Sequence, residues 1–175
     1  RGKTAFLVHG THGVGFGEHD VTGHGRDLYE QQLRVPFVAV VPGGRVGVRH
    51  GDGAVSVADV APTVLDLASA SQQGVEGRSL APFLRGEAPT LSARPAFARA
   101  ARRPAVIDWP LKLLVVERRG KDRVLLFDVQ ADPAESRDLS GERPEDRGRL
   151  EALARALDAP AETAEARADA GADTR

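Results

Sequence analysis

The feature that most constrains the fold is an unbroken apolar run, Ala5-Phe6-Leu7-Val8, that stops at a loop dense in glycine and histidine. That loop reads His9-Gly10-Thr11-His12-Gly13-Val14-Gly15-Phe16-Gly17-Glu18-His19 and continues to Gly23-His24-Gly25. A short apolar run without polar alternation has the pattern of a strand covered on both faces, as in layered α/β folds. Pro36 to Val41 has the same character, so Thr4 to Val8 and Pro36 to Val41 are expected to share one buried sheet. Between them lie four of the chain's five histidines. Glycine lets the backbone turn sharply and approach a ligand, and imidazole can ligate a metal, carry a proton or bond an anion; the loop therefore reads as an active-site loop.

Further along, a short helix is expected around Asp27 to Leu33, and Pro42-Gly43-Gly44 should break the second strand. Ser56 with Asp59 three residues on is a capping signal, and Val57, Val60, Ala61, Val64, Leu65 and Ala68 keep helical spacing, with Pro62 kinking the helix or lying in its first turn. From Gln72 to Pro95 the composition turns to Gly, Pro, Ser and Glu, the mark of a connector. Leu111 to Val116 and Arg123 to Val129, joined through Arg119-Gly120-Lys121-Asp122, predict an antiparallel hairpin. Pro144 opens a helix with Leu150, Leu153 and Leu157 on one side. The tail after Pro160 has no large apolar residue to bury and is expected to be disordered. These signals divide the chain into residues 1–90 as an α/β core portion, 91–159 as a small antiparallel α+β subdomain, and 160–175 as a tail.

With 175 residues and 41% hydrophobic content, the chain can bury one ordinary core plus an appendage. A net charge of −1 with 28% charged residues sets up no global field for nucleic acid or an anionic membrane surface. No apolar stretch approaches the ~20 residues of a spanning helix. Because the chain opens directly on an inner-strand pattern, it reads as the C-terminal part of a longer protein. The sequence contains 0 cysteines, which excludes disulfides and thiolate metal sites within it.

Four blocks resemble, in order, the sulfatases and related phosphonate and phosphodiester hydrolases of the alkaline-phosphatase superfamily. The first runs from His12-Gly13 through Gly17-Glu18-His19 to Leu28-Tyr29-Glu30 and Arg34-Val35-Pro36. The second is Val57 to Leu67, similar to the helix after the core strand; the third is Gly77-Arg78-Ser79-Leu80. The fourth is Leu126-Phe127-Asp128 with Asp132-Pro133-Ala134-Glu135 and Asp138-Leu139. The resemblance covers about residues 4 to 157. It implies part of an alkaline-phosphatase-like α/β/α core with a small C-terminal antiparallel subdomain, and hydrolysis of sulfate, phosphonate or phosphodiester esters of a small molecule or glycan. It also implies a divalent metal, Ca2+ or Mn2+, and a formylglycine nucleophile that lies outside this cysteine-free chain, so the chain by itself should not turn over an ester.

Residue by residue, the resemblance places Thr11-His12 where the family has a metal-ligating Asp-His pair. The aspartate is replaced, and a hydroxyl is a far weaker ligand for a hard cation than a carboxylate. The site is therefore expected to be impaired unless Glu18 or Asp20 substitutes. His24 matches a position that contacts the ester oxygens or leaving group, and His19 a second substrate-side position with loop ordering as its alternative role. On the residues alone, His9 reads as a packed strand-end histidine and Asp59 as a helix cap. Glu30 reads as a solvated or ion-paired acid, Arg34 as a buried charge partner, Asp128 and Asp132 as turn residues, and Arg99 to Arg103 as a solvated basic patch or a wall for an anionic substrate. Phe6-Leu7-Val8-His9-Gly10 could open an α/β-hydrolase oxyanion loop, but no Gly-x-Ser-x-Gly elbow follows. The reading of another class is a catalytically inactive sulfatase-fold domain used for binding or scaffolding.

Overall fold

In the computed structural model, residues 3–44 and 54–158 are described. The expected tail lies outside the described residues. Strand β1 (Phe6–His9) pairs antiparallel with β4 (Phe37–Val40), with Phe6 opposite Val40 and His9 opposite Phe37. Between them lie the short strands β2 (Gly15–Phe16) and β3 (Thr22–Gly23) and the one-turn helix α1 (Glu30–Leu33). Then come α2 (Val60–Leu67) and α3 (Ala81–Arg85), and a four-stranded antiparallel sheet in sequential order, β5 (Ala96–Ala100), β6 (Arg103–Asp108), β7 (Leu111–Arg118) and β8 (Lys121–Asp128). Helix α4 (Pro144–Asp158) closes the described chain. No helix among the described residues is long and apolar enough to cross a membrane.

The four-stranded sheet is covered on both faces. Val106, Leu111, Leu113 and Leu126 point to one side and pack against Leu150 and Ala154 of α4. Ala105, Leu114, Val116, Phe127 and Val129 point to the other side and pack against Leu28 and Tyr29. The segment that follows the histidine loop is thereby fixed to the sheet by apolar burial, about 1.5–3 kcal/mol for each large side chain fully removed from water. The hairpin β7–β8 follows the sequence reading: Arg119 and Gly120 both adopt positive φ, 55° and 74°, the two-residue turn that matches strand twist. Leu153 packs at the edge of that core, but Leu157 is 44% exposed.

Two expectations need correction. The pairing of the apolar runs holds, but the sheet is open on one side: Phe6, Val8, Val38 and Val40 are 61%, 64%, 57% and 60% exposed. Their register puts Phe6 beside Val40 and Val8 beside Val38 on the same face, and no described residue covers it. The stretch read as a connector contains α3, which Pro82 initiates from its first turn and Gly86 ends at φ 79°. Strands β5 and β6 were not legible as strands, since alanines and Pro104 dilute their apolar pattern.

The capping reading of Ser56 and Asp59 is correct. Ser56 and Asp59 form a reciprocal capping box on the 3-10 turn at 57–59 that leads into α2, with Pro62 in the first turn of that helix. The fully buried Asp59 carboxylate also accepts from the Arg78 backbone N–H at 2.9 Å and from Arg94 Nη2 at 2.5 Å. Thr63 Oγ1 accepts from the Leu80 N–H at 2.9 Å. The Gly77 to Leu80 segment is thus tied to α2.

Candidate active site

The end of β1 leads into a loop that runs beside the chain returning to β4. Gly10 N–H donates to Pro36 O at 3.1 Å and Gly13 N–H to Gln32 O at 2.8 Å. At Gly13 the approach is so close that a Cβ would lie 2.0 Å from Gln31 O, so only glycine fits. The next turn folds into the β2–β3 ribbon, with Gly17 at φ 121°, His19 at φ 55° and Asp20 at φ 61° around its tip. Gly23 and Gly25, at φ 90° and 81°, then bring the chain back over the first loop.

This return brings His12 and His24 together: their rings stack with centroids 4.0 Å apart and planes 25° apart. The device that joins them is Gln32, buried on α1. Its carbonyl accepts from Gly13 and its Oε1 accepts from Gly25 N–H at 3.0 Å. Sequence reading gave Gln32 no role, and no local pattern signals one, because its two partners lie 19 and 7 residues upstream. His12 Nδ1 lies 2.9 Å from Gly13 O, an arrangement in which Nδ1 carries the proton and donates. Thr11 is exposed beside it, and His9 Nδ1 meets Gly10 O at 2.8 Å.

His19 is held apart from that pair. Its ring stacks on Tyr29 with centroids 3.8 Å apart and planes 2° apart, and its Nε2 lies 3.1 Å from Ala134 O. Arg118 of β7 donates to His19 O at 3.1 Å and to Tyr29 Oη at 3.4 Å. Burial pushes the Tyr29 phenol above its usual range, with Arg118 opposing. These contacts order the loop. Glu18 folds onto its own turn: its carboxylate accepts from Phe16 N–H at 2.7 Å, which holds it below the usual carboxylate range.

Beneath the loop sits a buried ionic cluster. Lys112 interrupts the apolar run of β7, is fully buried, and sets Nζ 2.9 Å from Glu30 Oε1 and 2.8 Å from Glu135 Oε1. Glu135 Oε2 in turn accepts from Glu30 N–H at 2.6 Å. Burial pushes the Glu135 carboxyl up, against the lowering effect of Lys112. Glu30 is therefore the ion-paired acid, tying α1 to the sheet and to the turn that carries Ala134.

Arg34 is not the buried partner expected. It is exposed, and among the described residues its guanidinium has no acceptor, because Lys112 occupies the nearby Glu30. The basic cluster is also not free: Arg99 pairs with Asp158 at 3.0 Å, and Arg103 with Glu117 at 2.5 Å and Asp122 at 2.9 Å. Asp128 and Asp132 cap the turns at 128–137 through backbone N–H groups, as turn residues should.

Two hollows flank α1. One, of about 490 Å³, is lined by His9, Thr11, His12, Gln32 and Arg34 together with apolar side chains including Phe37, Phe97 and Trp109. The other, of about 360 Å³, holds Glu18, His19, Gln31 and Ala134. Among the described residues no three His, Asp or Glu side chains converge to hold a metal ion. Thr11 and His12 by themselves therefore do not make a metal centre, and an implied Ca2+ or Mn2+ would need ligands from outside the described residues.

Residues 1–70 match the family profile described as Sulfatase. No curated protein gives a significant sequence match. Among solved structures, a 2-O GAG sulfatase is similar at 25% identity and a TM-score of 0.71, over 85% of this chain and 35% of that one. A protein solved in complex with its substrate D-glucosamine-2-N,6-O-disulfate is similar at 23% identity and 0.65, over 87% and 33%. The phosphonate monoester hydrolase of Agrobacterium radiobacter is similar at 23% identity and 0.64, over 87% and 34%. The chain thus spans about a third of the length of each.

Proposed function

Starting from a chain that matches the sulfatase family over residues 1–70 and shares the sulfatase fold across most of its length, we propose that it forms the C-terminal portion of a metal-dependent hydrolase of sulfate esters. The observation that carries the reading is the His12–His24 stack at the end of β1, held by the two-sided grip of Gln32, with His12 also lining the larger cavity. His24 contacts the ester oxygens or the leaving group, and a proton on its ring offsets charge that develops there. His19 orders the loop and borders the neighbouring hollow. The metal and the formylglycine nucleophile are implied by the family. This sequence has 0 cysteines, so the nucleophile comes from elsewhere. The open face of Phe6, Val8, Val38 and Val40 supports packing against further sulfatase-fold layers. The substrate is a sulfated glycan, the class named for two of the similar structures; phosphonate and phosphodiester esters are the related alternatives.

A second reading has its own observation. Thr11 stands in the place of a ligating aspartate, and no described acid replaces it, which favours a domain that keeps the fold for binding or scaffolding. Assays with an aryl sulfate and a phosphonate monoester decide between them, using the longest form of the protein that contains this chain. Turnover that falls at least about a hundredfold in His24→Ala, in line with loss of acid–base and oxyanion help, is the expected result. Turnover indifferent to His24 would refute the assignment of that residue, and no turnover with either ester would favour the binding domain. The 175-residue chain assayed alone should show none.

A further inference from the structure

Resting on the sulfate-ester reading, we propose that Gln32 is a positioning residue for the reaction, whose side-chain amide sets His24 against His12 and is itself held in place by the C-terminal sheet through Glu30. The sheet is then a working part of the active site. The need for such a residue follows from the chain around His24. Gly23 and Gly25 flank it at φ 90° and 81°, and glycine takes either sign of φ with little preference, so local conformation does not fix where the imidazole stands. Gln32 Oε1 accepts from Gly25 N–H at 3.0 Å, on the residue after His24. Gln32 O accepts from Gly13 N–H at 2.8 Å, on the residue after His12. One residue therefore holds the backbone beside both histidines, and their rings meet with centroids 4.0 Å apart.

Gln32 is anchored from the other side of α1. Residues two apart on a helical turn point about 200° apart around its axis, so Glu30 faces away from the loops that Gln32 holds. Glu30 Oε1 meets Lys112 Nζ at 2.9 Å, and Glu30 N–H donates to Glu135 Oε2 at 2.6 Å. Both partners are buried, so the anchor is set by the packed sheet. At Gly13 the histidine loop lies directly against the backbone of Gln31, with no room for a Cβ between them, so a shift of α1 carries the loop with it. Stability alone explains Gln32 poorly. The residue is buried, and its Nε2 has no acceptor among the described residues. An unpaired buried donor lowers stability, and an apolar side chain of the same length would avoid that penalty while losing the hold on Gly25.

The test compares Gln32→Met, of similar size but without the acceptor, with Gln32→Glu, which keeps an oxygen at the same reach. In the full 175-residue chain, NMR follows the nuclear Overhauser contact between the His12 and His24 rings, alongside the melting temperature. Aryl sulfate turnover is measured in the longest form of the protein that contains this chain. Gln32→Met is expected to abolish the ring contact and lower kcat about tenfold or more, as misplacement of a reacting group does, with KM within about threefold. Its melting temperature should stay level or rise, whereas a merely structural role predicts a fall. Gln32→Glu should keep the ring contact. In the unsubstituted chain, the amides of Gly13, Gly25 and Glu30 should exchange as one unit with a shared denaturant dependence. A ring contact or kcat unchanged in Gln32→Met would overturn the proposal, as would loss of the contact in both variants. Exchange at Gly25 independent of Glu30 would overturn the part played by the sheet. A ring contact that depends on Gln32 in a protein that never turns over an ester would keep the clamp and sink the hydrolase reading alone.

Discussion

Replacing Lys112 by methionine tests whether the ionic cluster under the loop holds the candidate site together. The lysine is fully buried, and its ammonium is the counter-charge of both Glu30 and the 2% exposed Glu135. Methionine keeps most of the volume, so little of the effect is a cavity. It leaves two carboxylates facing one another, and removal of one member of a buried ion pair costs about 3–5 kcal/mol. For a chain of this size that is a fall of roughly 6–20 °C in melting temperature. The pH dependence separates this cause from a packing defect. Burial already raises the folded-state pKa of Glu135 above its ordinary 4.5, and loss of Lys112 raises it further. Between the unfolded and folded values the folded state binds more protons, so stability falls as pH rises through that window. The penalty should therefore be smaller at about pH 4.5 than at about pH 8, and adding Glu135→Gln to Lys112→Met should remove much of the dependence. Urea denaturation of the native, single and double variants measures it. A loss under about 1 kcal/mol, or an equal loss at both pH values, would refute the argument.

Leu150→Ala, which empties a fully buried position between α4 and the sheet, should cost about 2–5 kcal/mol by urea denaturation, whereas Leu157→Ala, at a half-exposed position, should cost well under that. Asp59→Ala strips the capping box and leaves Arg78 N–H and Arg94 without their acceptor, for a loss of about 3–5 kcal/mol together with faster amide exchange at residues 77–80. Thr11→Asp should tighten Ca2+ or Mn2+ binding in the longer protein if the metal reading is right, because a carboxylate adds charge beside His12; calorimetric affinities that stay flat would favour the binding domain.

The features legible in the sequence are those that depend on neighbours within a few residues. The Ser56–Asp59 box, the Arg119-Gly120 turn with its two strands, the start of α4 at Pro144 and the glycine-rich loop after β1 all follow from local conformational preference and short-range hydrogen bonds. The resemblance that carries fold and chemistry also rests on short local motifs. What could not be read locally was long-range. Lys112 lies inside Leu111-Lys112-Leu113-Leu114, where a charge suggests an outward-facing position; it is buried because Glu30, 82 positions earlier, and Glu135 meet it on the face that packs against Leu28 and Tyr29. Arg34 is exposed for the complementary reason, since the acid beside it is already paired with that lysine. The apolar run of β1 signals a strand without saying which face is covered; its pairing with β4 is set by partners 28 to 34 positions away, from His9–Phe37 to Phe6–Val40. Histidines 12 and 24 are each visible as candidates, but their contact depends on Gln32 bonding two separate loops at once. Dihedral preferences act over one turn of chain and leave their mark on sequence; burial and charge pairing act across whatever surfaces folding brings together, so they are fixed only when the sheet, the helix and the loop meet.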